Sequence, residues 1–283
     1  MSFIGKGRQA LEMIIDDNSF IEDEMEIGPG AVTGTATIKG RAVTIIANDA
    51  KARNPRFSTV AAGVIGMEEA YKMALAVYNT IADGNSNENK GKEKRPIILI
   101  VDTPGNAPGK IDEIFGMNKA TGAYQLALAE AREQGHPIVA MIVGRAISGA
   151  FLCHGLQADR ILALSEKYGT MIHVMPLSSI ARITKMDIER LKELSTSNPV
   201  FASGASYFHK LGGLEEVIED AESMAEAIDR HISEINELNA QGKSHELGPL
   251  GRGILGEKRG GRTARAEVIE LMRRQFAELS EMV

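Results

Sequence analysis

The hydrophobic residues of the chain follow two different spacings. Continuous apolar runs are typical of strands that are covered on both faces, and they occupy 97–101, 138–143, 160–164 and 171–175. Apolar residues that recur at three and four positions predict amphipathic helices, and we expect these at 9–15, 66–82, 123–133, 149–156, 186–194, 202–210, 223–238 and 264–281. Strands that alternate with helices predict an α/β fold.

A β-hairpin is predicted before the first of these continuous strands. Ala31–Ile38 and Arg41–Asn48 are rich in β-branched residues, and the two residues Lys39 and Gly40 join them. A two-residue connection that contains glycine is typical of a tight hairpin turn. Because no stretch of the sequence has the composition of an interdomain linker, we predict one domain that spans 1–283.

The last quarter of the chain has a different composition from the rest. We predict a core at about 5–220 and a helical C-terminal extension at about 221–283. Within the extension, 242–262 is rich in glycine and in basic residues, and it is interpreted as a basic, glycine-rich loop. A solvated loop is the simplest reading of this segment, and contact with phosphate or with an acidic carrier protein is the alternative.

Composition narrows the possible functions. The net charge of −6 argues against nucleic acid as a partner. Cys153 is the only cysteine, so the chain forms no internal disulfide and we expect a cytoplasmic location. The first twenty residues do not have the pattern of a signal peptide, and we find no membrane-spanning stretch. The six histidines are not spaced as helical metal ligands, so we expect no metal.

The first segment with candidate chemistry is Val101-Asp102-Thr103-Pro104-Gly105, which ends a buried strand. Asp-x-x-Gly also occurs in GTPases, where it binds magnesium beside a phosphate. That interpretation requires an upstream Gly-x4-Gly-Lys-Ser/Thr loop. The only Gly-Lys-Ser, at 242–244, lies downstream and lacks the first glycine. The GTPase interpretation is therefore disfavoured.

The second candidate segment is Gly144-Arg145-Ala146-Ile147-Ser148-Gly149-Ala150, between a strand and a helix. Small residues let a ligand approach the main chain, and free amides in the first helical turn attract negative charge. A carbonyl oxygen that becomes anionic is stabilised by such donors. Two alternatives are a nucleophile elbow at Ser148, which would have alanines where that motif has glycines, and simple close packing of the helix on the strand.

These segments together resemble the carboxyltransferase branch of the crotonase superfamily. The order is a strand that ends in Asp-Thr-Pro-Gly, a second strand that leads into Gly-Arg-Ala-Ile-Ser-Gly-Ala, and Asp159 before a third. The opening helix with Asp17-Asn18-Ser19-Phe20 and the element Leu211–Ile218 are also similar to that family, so the resemblance covers about 5–220. Gly144–Gly155 and Ile172–Thr184 resemble the γ subunits of malonate decarboxylases most closely.

The resemblance implies a crotonase-like superhelix of ββα units and a site shared with a homologous β subunit. The implied substrate is a malonyl thioester on the phosphopantetheine-type, dephospho-CoA-derived arm of an acyl-carrier protein, which an acyl-carrier transferase subunit serves. No cofactor is then bound directly. The residues implied in the site are catalytic backbone amides of Gly149, Ala150, Gly105 and Asn106, the residue Ser148, and the substrate-binding residues Arg145, Gly144 and His154.

The resemblance also leaves alternatives open. A biotin-dependent acyl-CoA carboxylase or decarboxylase would share the fold but would pass the carboxyl group to biotin. A non-catalytic subunit that completes the β subunit's site is a third possibility. Related hydratases place a glutamate three residues after the glycine that donates its amide, and here that residue is Leu152. A hydratase mechanism would lack its base, whereas a decarboxylation starts without one.

Overall fold

The structure is a computed structural model that describes residues 2–89, 91–175, 177–195 and 203–280. Its strands are β1 (Ile21–Glu22), β2 (Ala31–Ile38), β3 (Arg41–Asn48), β4 (Ile97–Thr103), β5 (Ile138–Ile147), β6 (Arg160–Leu164), β7 (Met171–His173) and β8 (Glu216–Ile218). Its helices are α1 (Gly7–Ile14), α2 (Met67–Gly84), α3 (Lys110–Phe115), α4 (Met117–Glu133), α5 (Ser148–Cys153), α6 (Leu177–Thr184), α7 (Ile188–Ser195), α8 (Ala205–Lys210), α9 (Met224–Ala240), α10 (Gly248–Lys258) and α11 (Arg265–Ser280).

These strands form one sheet in the order β1-β2-β3-β4-β5-β6-β8, and β7 pairs with the far end of β5. The β1–β2 and β2–β3 pairs are antiparallel, whereas every pair from β3 to β8 is parallel. Alternate residues of β4 and β5 face two different apolar clusters. One cluster packs under α2, α4 and α5, and the other packs under α1 and α9. Coverage on both faces explains why these strands are continuously apolar.

Most of the predicted elements are confirmed. The hairpin has the predicted bounds, and β4, β5 and β6 begin at the predicted residues. The expectation of a loop at 242–262 is wrong for Gly248–Lys258, which forms helix α10. Helices α3 and α6 and strands β1 and β8 were not predicted, and the predicted ends at 202 and 281 lie outside the described residues.

Glycines allow α10 to pack very closely on the turn that follows α8. A Cβ atom on Gly256 would lie 2.2 Å from the Leu211 carbonyl oxygen, and one on Gly212 would lie 2.3 Å from the Arg252 carbonyl oxygen. Side chains of that size do not fit. The glycines that suggested a loop therefore serve helix packing.

The arginines of the same segment donate to backbone carbonyl oxygens. Arg252 is buried and donates to the carbonyl oxygens of Ala158 and Leu156. Arg259 donates to the carbonyl oxygens of His209, Leu214 and Glu215, at 2.7, 2.6 and 2.9 Å. The interpretation of 242–262 as a solvated basic loop is therefore wrong for its two most engaged side chains. They fasten the C-terminal extension to the core.

The last helix, α11, has no buried residue among those described. Its apolar side chains are exposed: Val268, Leu271, Met272, Phe276 and Leu279. Across residues 2–89, 91–175, 177–195 and 203–280, we find neither a helix long and apolar enough to cross a membrane nor a cluster of three or more side chains suited to a metal ion.

Candidate active site

The two predicted turns lie side by side at the carboxyl ends of neighbouring strands. β4 leads into Gly105 and Asn106, and β5 leads into α5. A Cβ atom built on Gly105 would lie 3.9 Å from the Ser148 Cβ, and one on Gly149 would lie 3.4 Å from the Asn106 side-chain oxygen. Ligands of parallel sheets bind at this edge, where strands end and loops begin.

The turn after β5 presents backbone amides at the start of a helix. Ser148 has a φ of +57°, which is uncommon for a residue other than glycine and redirects the chain sharply from strand to helix. The amides of Gly149 and Ala150 belong to the first turn of α5, where the helix itself offers no acceptor. In the part of the chain that the structure describes, no loop, cap or side-chain acceptor receives either N–H. Both donors are available to a bound oxygen.

The turn after β4 carries two of the predicted amide donors, Gly105 and Asn106, and their N–H groups have different surroundings. The Gly105 N–H donates to the Thr103 hydroxyl at 3.3 Å, so this amide already has an acceptor in its own turn, and its role as a donor to substrate stays a prediction. Ile65 donates to the Gly105 carbonyl at 3.1 Å and accepts from the Ala107 amide at 3.0 Å. In this parallel pairing the Asn106 amide points away from Ile65. Asn106 is therefore the candidate donor on this side.

Asn106 also places its side chain between the two turns. Its Oδ1 atom is buried and receives no hydrogen bond from the residues that the structure describes. An unsatisfied buried carbonyl oxygen costs about 1–3 kcal/mol. The Oδ1 atom lies beside Gly149, where a Cβ atom would be 3.4 Å from it, so it occupies the space between the two turns.

Gly144 and Arg145, predicted to bind substrate, instead contact Asp102. A Cβ atom on Gly144 would lie 2.5 Å from the Asp102 carboxylate, so glycine is required there to leave room for that side chain. The Arg145 guanidinium donates to Asp102 and to the Ala62 carbonyl. Its Nε atom lies 2.9 Å from Asp102 Oδ1, and the Asp102 side chain is only 1% exposed. Both residues are thus engaged with Asp102, and their predicted contact with substrate stays a prediction.

His154, also predicted to contact substrate, is fully buried with both ring nitrogens in use. Its Nε2 atom lies 3.1 Å from the Ile100 carbonyl oxygen, which only accepts, so Nε2 carries the proton. Nδ1 then accepts from the Tyr124 hydroxyl at 2.9 Å. The substrate-binding assignment of His154 is wrong. Ser148 is exposed and lacks this histidine as a base, so an elbow-type nucleophile is not supported.

A pH-dependent loss of stability is expected from His154. Burial lowers its pKa to about 4, whereas the unfolded imidazole binds a proton below about pH 6.5. The unfolded chain therefore binds more protons as the pH falls from about 6.5 to about 4, and the free energy of unfolding decreases by up to about 1.4 kcal/mol per pH unit.

The measurement compares wild type with His154→Gln, whose neutral amide can keep both hydrogen bonds. Burial raises the pKa of Asp159 to about 6, which produces the opposite slope between about pH 4 and 6 in both proteins. The difference between the two denaturation series isolates His154. Parallel pH slopes for the two proteins would contradict the assignment of a depressed pKa.

Comparison with known proteins identifies the family. A family model described as malonate decarboxylase gamma subunit, MdcE, matches residues 61–276. The malonyl-S-ACP:biotin-protein carboxyltransferase MADD of Malonomonas rubra is 61% identical over 287 aligned residues, which cover 98% of this chain and 97% of that protein. The chain belongs to the malonate decarboxylase γ-subunit family. The acetyl-coenzyme A carboxylase carboxyl transferase subunit alpha of Staphylococcus carnosus is 26% identical and aligns over 75% of this chain.

Solved structures agree with membership of the malonate decarboxylase γ-subunit family. A chain of the Pseudomonas malonate decarboxylase hetero-tetramer, in complex with coenzyme A, superposes with a TM-score of 0.79 and 27% identity over 96% of this chain and 99% of that one. Transcarboxylase 12S, at 22% identity over 80% of this chain and 40% of its own, has a TM-score of 0.62 and shows the shared fold. The predicted crotonase-like fold is confirmed.

Two parts of the candidate site were not predicted from the sequence. These are the segment around Ile65 and the role of Asp102 as a partner of Arg145. The sequence contained a signal for the pairing of Asp102 with Arg145. A charged residue at the end of a buried strand needs a partner, and Arg145 is the charged residue at the end of the adjacent strand.

Proposed function

We propose that this chain stabilises the enolate formed when a malonyl thioester loses its carboxylate, as the γ-type subunit of a malonate decarboxylase. The observation that carries the proposal is the pair of available amides, on Asn106 and Gly149, in turns that meet at one edge of the sheet. Membership of the family supplies the substrate class.

The chemistry balances without a metal or a base to start it. The bond between the α-carbon and the carboxylate carbon breaks, and carbon dioxide leaves. The electron pair of the broken bond stays with the thioester, and negative charge builds up on the thioester oxygen. The amides donate hydrogen bonds to this growing charge. The enolate then takes up one proton at the α-carbon and becomes the acetyl thioester. One such donor contributes a factor of about 10² to 10³ in rate.

The partners are part of the proposal. The Pseudomonas relatives are a hetero-dimer of MdcD with MdcE and a hetero-tetramer, and the Malonomonas rubra relative is named for a malonyl-S-ACP substrate. By analogy, a homologous β subunit completes the site here, and an acyl-carrier protein presents the thioester on a phosphopantetheine-type arm. An acyl-carrier transferase would load that arm.

A second candidate concerns the fate of the carboxyl group, and the 61% identity to a biotin-protein carboxyltransferase favours it. In this version a ureido nitrogen of biotin forms a bond to the carboxyl carbon. The proton that this nitrogen loses goes to the enolate carbon. The amide turns would act identically, because the enolate is the same in both reactions.

The test uses the chain co-purified with its β subunit and supplied with malonyl thioester on the carrier protein. We expect acetyl thioester to form with the complex and very little with the chain alone. Release of carbon dioxide without biotin supports direct decarboxylation, whereas dependence on biotinylated carrier protein and inhibition by avidin supports transfer. A complex that makes no acetyl thioester under either condition would overturn the proposal.

A further inference from the structure

The Asp102–Arg145 pair lies where β4 and β5 lose their regular register. Val101 pairs with Ile142 and Thr103 pairs with Ala146, so β5 advances by four positions while β4 advances by two. The irregular part of β5 is therefore Val143–Arg145, opposite Asp102. Bulges of this kind bend a strand and redirect the residues that come after it.

Asp102 satisfies the hydrogen bonds that this bulge would otherwise lose. Its Oδ1 atom accepts from the Arg145 backbone amide at 2.9 Å and from the Arg145 Nε at 2.9 Å. Its Oδ2 atom accepts from the Gly5 amide at 2.6 Å and from Arg145 Nη2 at 3.3 Å. One carboxylate thus fixes the main chain and the side chain of the same arginine. The bulge cannot relax while this pair is intact.

Arg145 extends the same connection to the segment that supports the first turn. Its Nη2 atom donates to the Ala62 carbonyl at 2.9 Å. Gly63, at a φ of +87°, lets the segment pass over the guanidinium, because a Cβ atom there would lie 3.1 Å from Nη2. Two residues later, Ile65 holds Gly105 by its carbonyl oxygen. The Asp102–Arg145 pair therefore contacts the bulge that precedes the Gly149 turn and the segment that holds the Gly105–Asn106 turn.

We propose that Asp102 and Arg145 are positioning residues that set the distance between the Asn106 and Gly149 amides. Asp102 precedes Asn106 by four residues, and Arg145 precedes Gly149 by four. A shift in the bulge moves the start of α5 relative to the β4 turn. This inference rests on the proposed function for its catalytic consequence, but the geometry that it describes is measurable without a reaction.

The test is Arg145→Ala in the complex with the β subunit. We expect kcat to fall about 10²-fold, as for a misplacement of about 1 Å, with little change in KM, because the amides act on the transition state. Guanidinium ion at low concentration should refill the space and restore part of kcat. Arg145→Lys keeps the charge but not the planar fork, so its kcat should lie between those of wild type and Arg145→Ala. This variant provides the test if the alanine variant does not fold.

Arg132→Ala is the matched control. Arg132 also pairs with an aspartate that is 1% exposed, Asp159, but at the opposite end of β5. It should lower stability and leave kcat unchanged. Equal losses of kcat in the Arg132 and Arg145 variants, or no rescue by guanidinium, would overturn the inference.

A second measurement separates this inference from the proposed function. In the chain labelled with ¹⁵N-glycine, the Gly149 amide resonance should move in Arg145→Ala, return with guanidinium and stay in place in Arg132→Ala. If the wild-type complex is inactive, the proposed function is refuted, and the shift of the Gly149 resonance still tests the positioning role of Asp102 and Arg145. An unmoved Gly149 resonance would refute it.

Discussion

Gly149→Pro is expected to reduce the turnover of the complex by about 10² to 10³, because proline removes one donor to the enolate oxygen. The missing N–H makes no intrahelical bond in a first helical turn, but proline also restricts the residue before it, and Ser148 has a φ of +57°. Circular dichroism and co-purification with the β subunit therefore accompany the kinetics. The effect should fall on kcat, since the charge on oxygen is greatest in the transition state. Steady-state kinetics with malonyl thioester on carrier protein measure it.

Gly149→Ala supplies the comparison at the same position. Alanine keeps the N–H and adds a Cβ atom at 3.4 Å from the Asn106 side-chain oxygen, a tight contact that this side chain can relieve by a small movement. We expect its turnover to stay within about tenfold of wild type, which corresponds to a change of at most about 1.4 kcal/mol in the activation free energy. If both variants lose activity equally while the complex assembles normally, bulk and not the amide is responsible. Unchanged turnover in Gly149→Pro would favour a non-catalytic, scaffolding subunit.

Gly212→Ala is expected to lower the free energy of unfolding by about 2–5 kcal/mol. Gly212 has a φ of +73°, which costs about 1–2 kcal/mol for alanine. Its added Cβ would also lie 2.3 Å from the Arg252 carbonyl oxygen and 2.4 Å from the Gly256 nitrogen. Overpacking against backbone adds about 1–3 kcal/mol. Denaturant unfolding followed by circular dichroism measures the change.

Gly260→Ala separates the two causes. Gly260 has nearly the same backbone conformation, with a φ of +71°, but a Cβ atom there meets nothing within 4 Å. We expect it to cost only the backbone strain of about 1–2 kcal/mol. Equal destabilisation by the two variants would mean that the contact between α10 and the turn after α8 contributes nothing to stability.

The framework of the fold was predictable because its signals are local. Continuous apolar runs mark β4, β5 and β6, and the Lys39-Gly40 turn marks the hairpin. The secondary structure of 242–262 was not predictable, because glycine permits both loops and very close helix packing. Only the position of the Leu211 carbonyl, 45 residues before Gly256, decides between them.

The turns of the site and their candidate amides were predictable, but the choice between the two amides of the β4 turn was not. The strand-to-helix turn at Gly149 follows from small residues after a buried strand. The choice between Gly105 and Asn106 depends on the Thr103 hydroxyl and on Ile65, which is 41 residues away in sequence from Asn106. His154 was misassigned because its partners, Tyr124 and Ile100, come from other elements.

Strand β5 is held by a buried aspartate at each end, with Ile138 donating to Asp159 and Arg145 donating to Asp102. A strand anchored in this way, in the middle of a sheet, cannot slide along its own axis while the rest of the protein stays folded. Under the proposed function, any movement that admits and releases the acyl carrier must therefore occur in surfaces that face β5, and not in β5 itself. Conformational probes should therefore be attached to the surfaces that face β5, and labels on β5 itself should serve as a stationary reference.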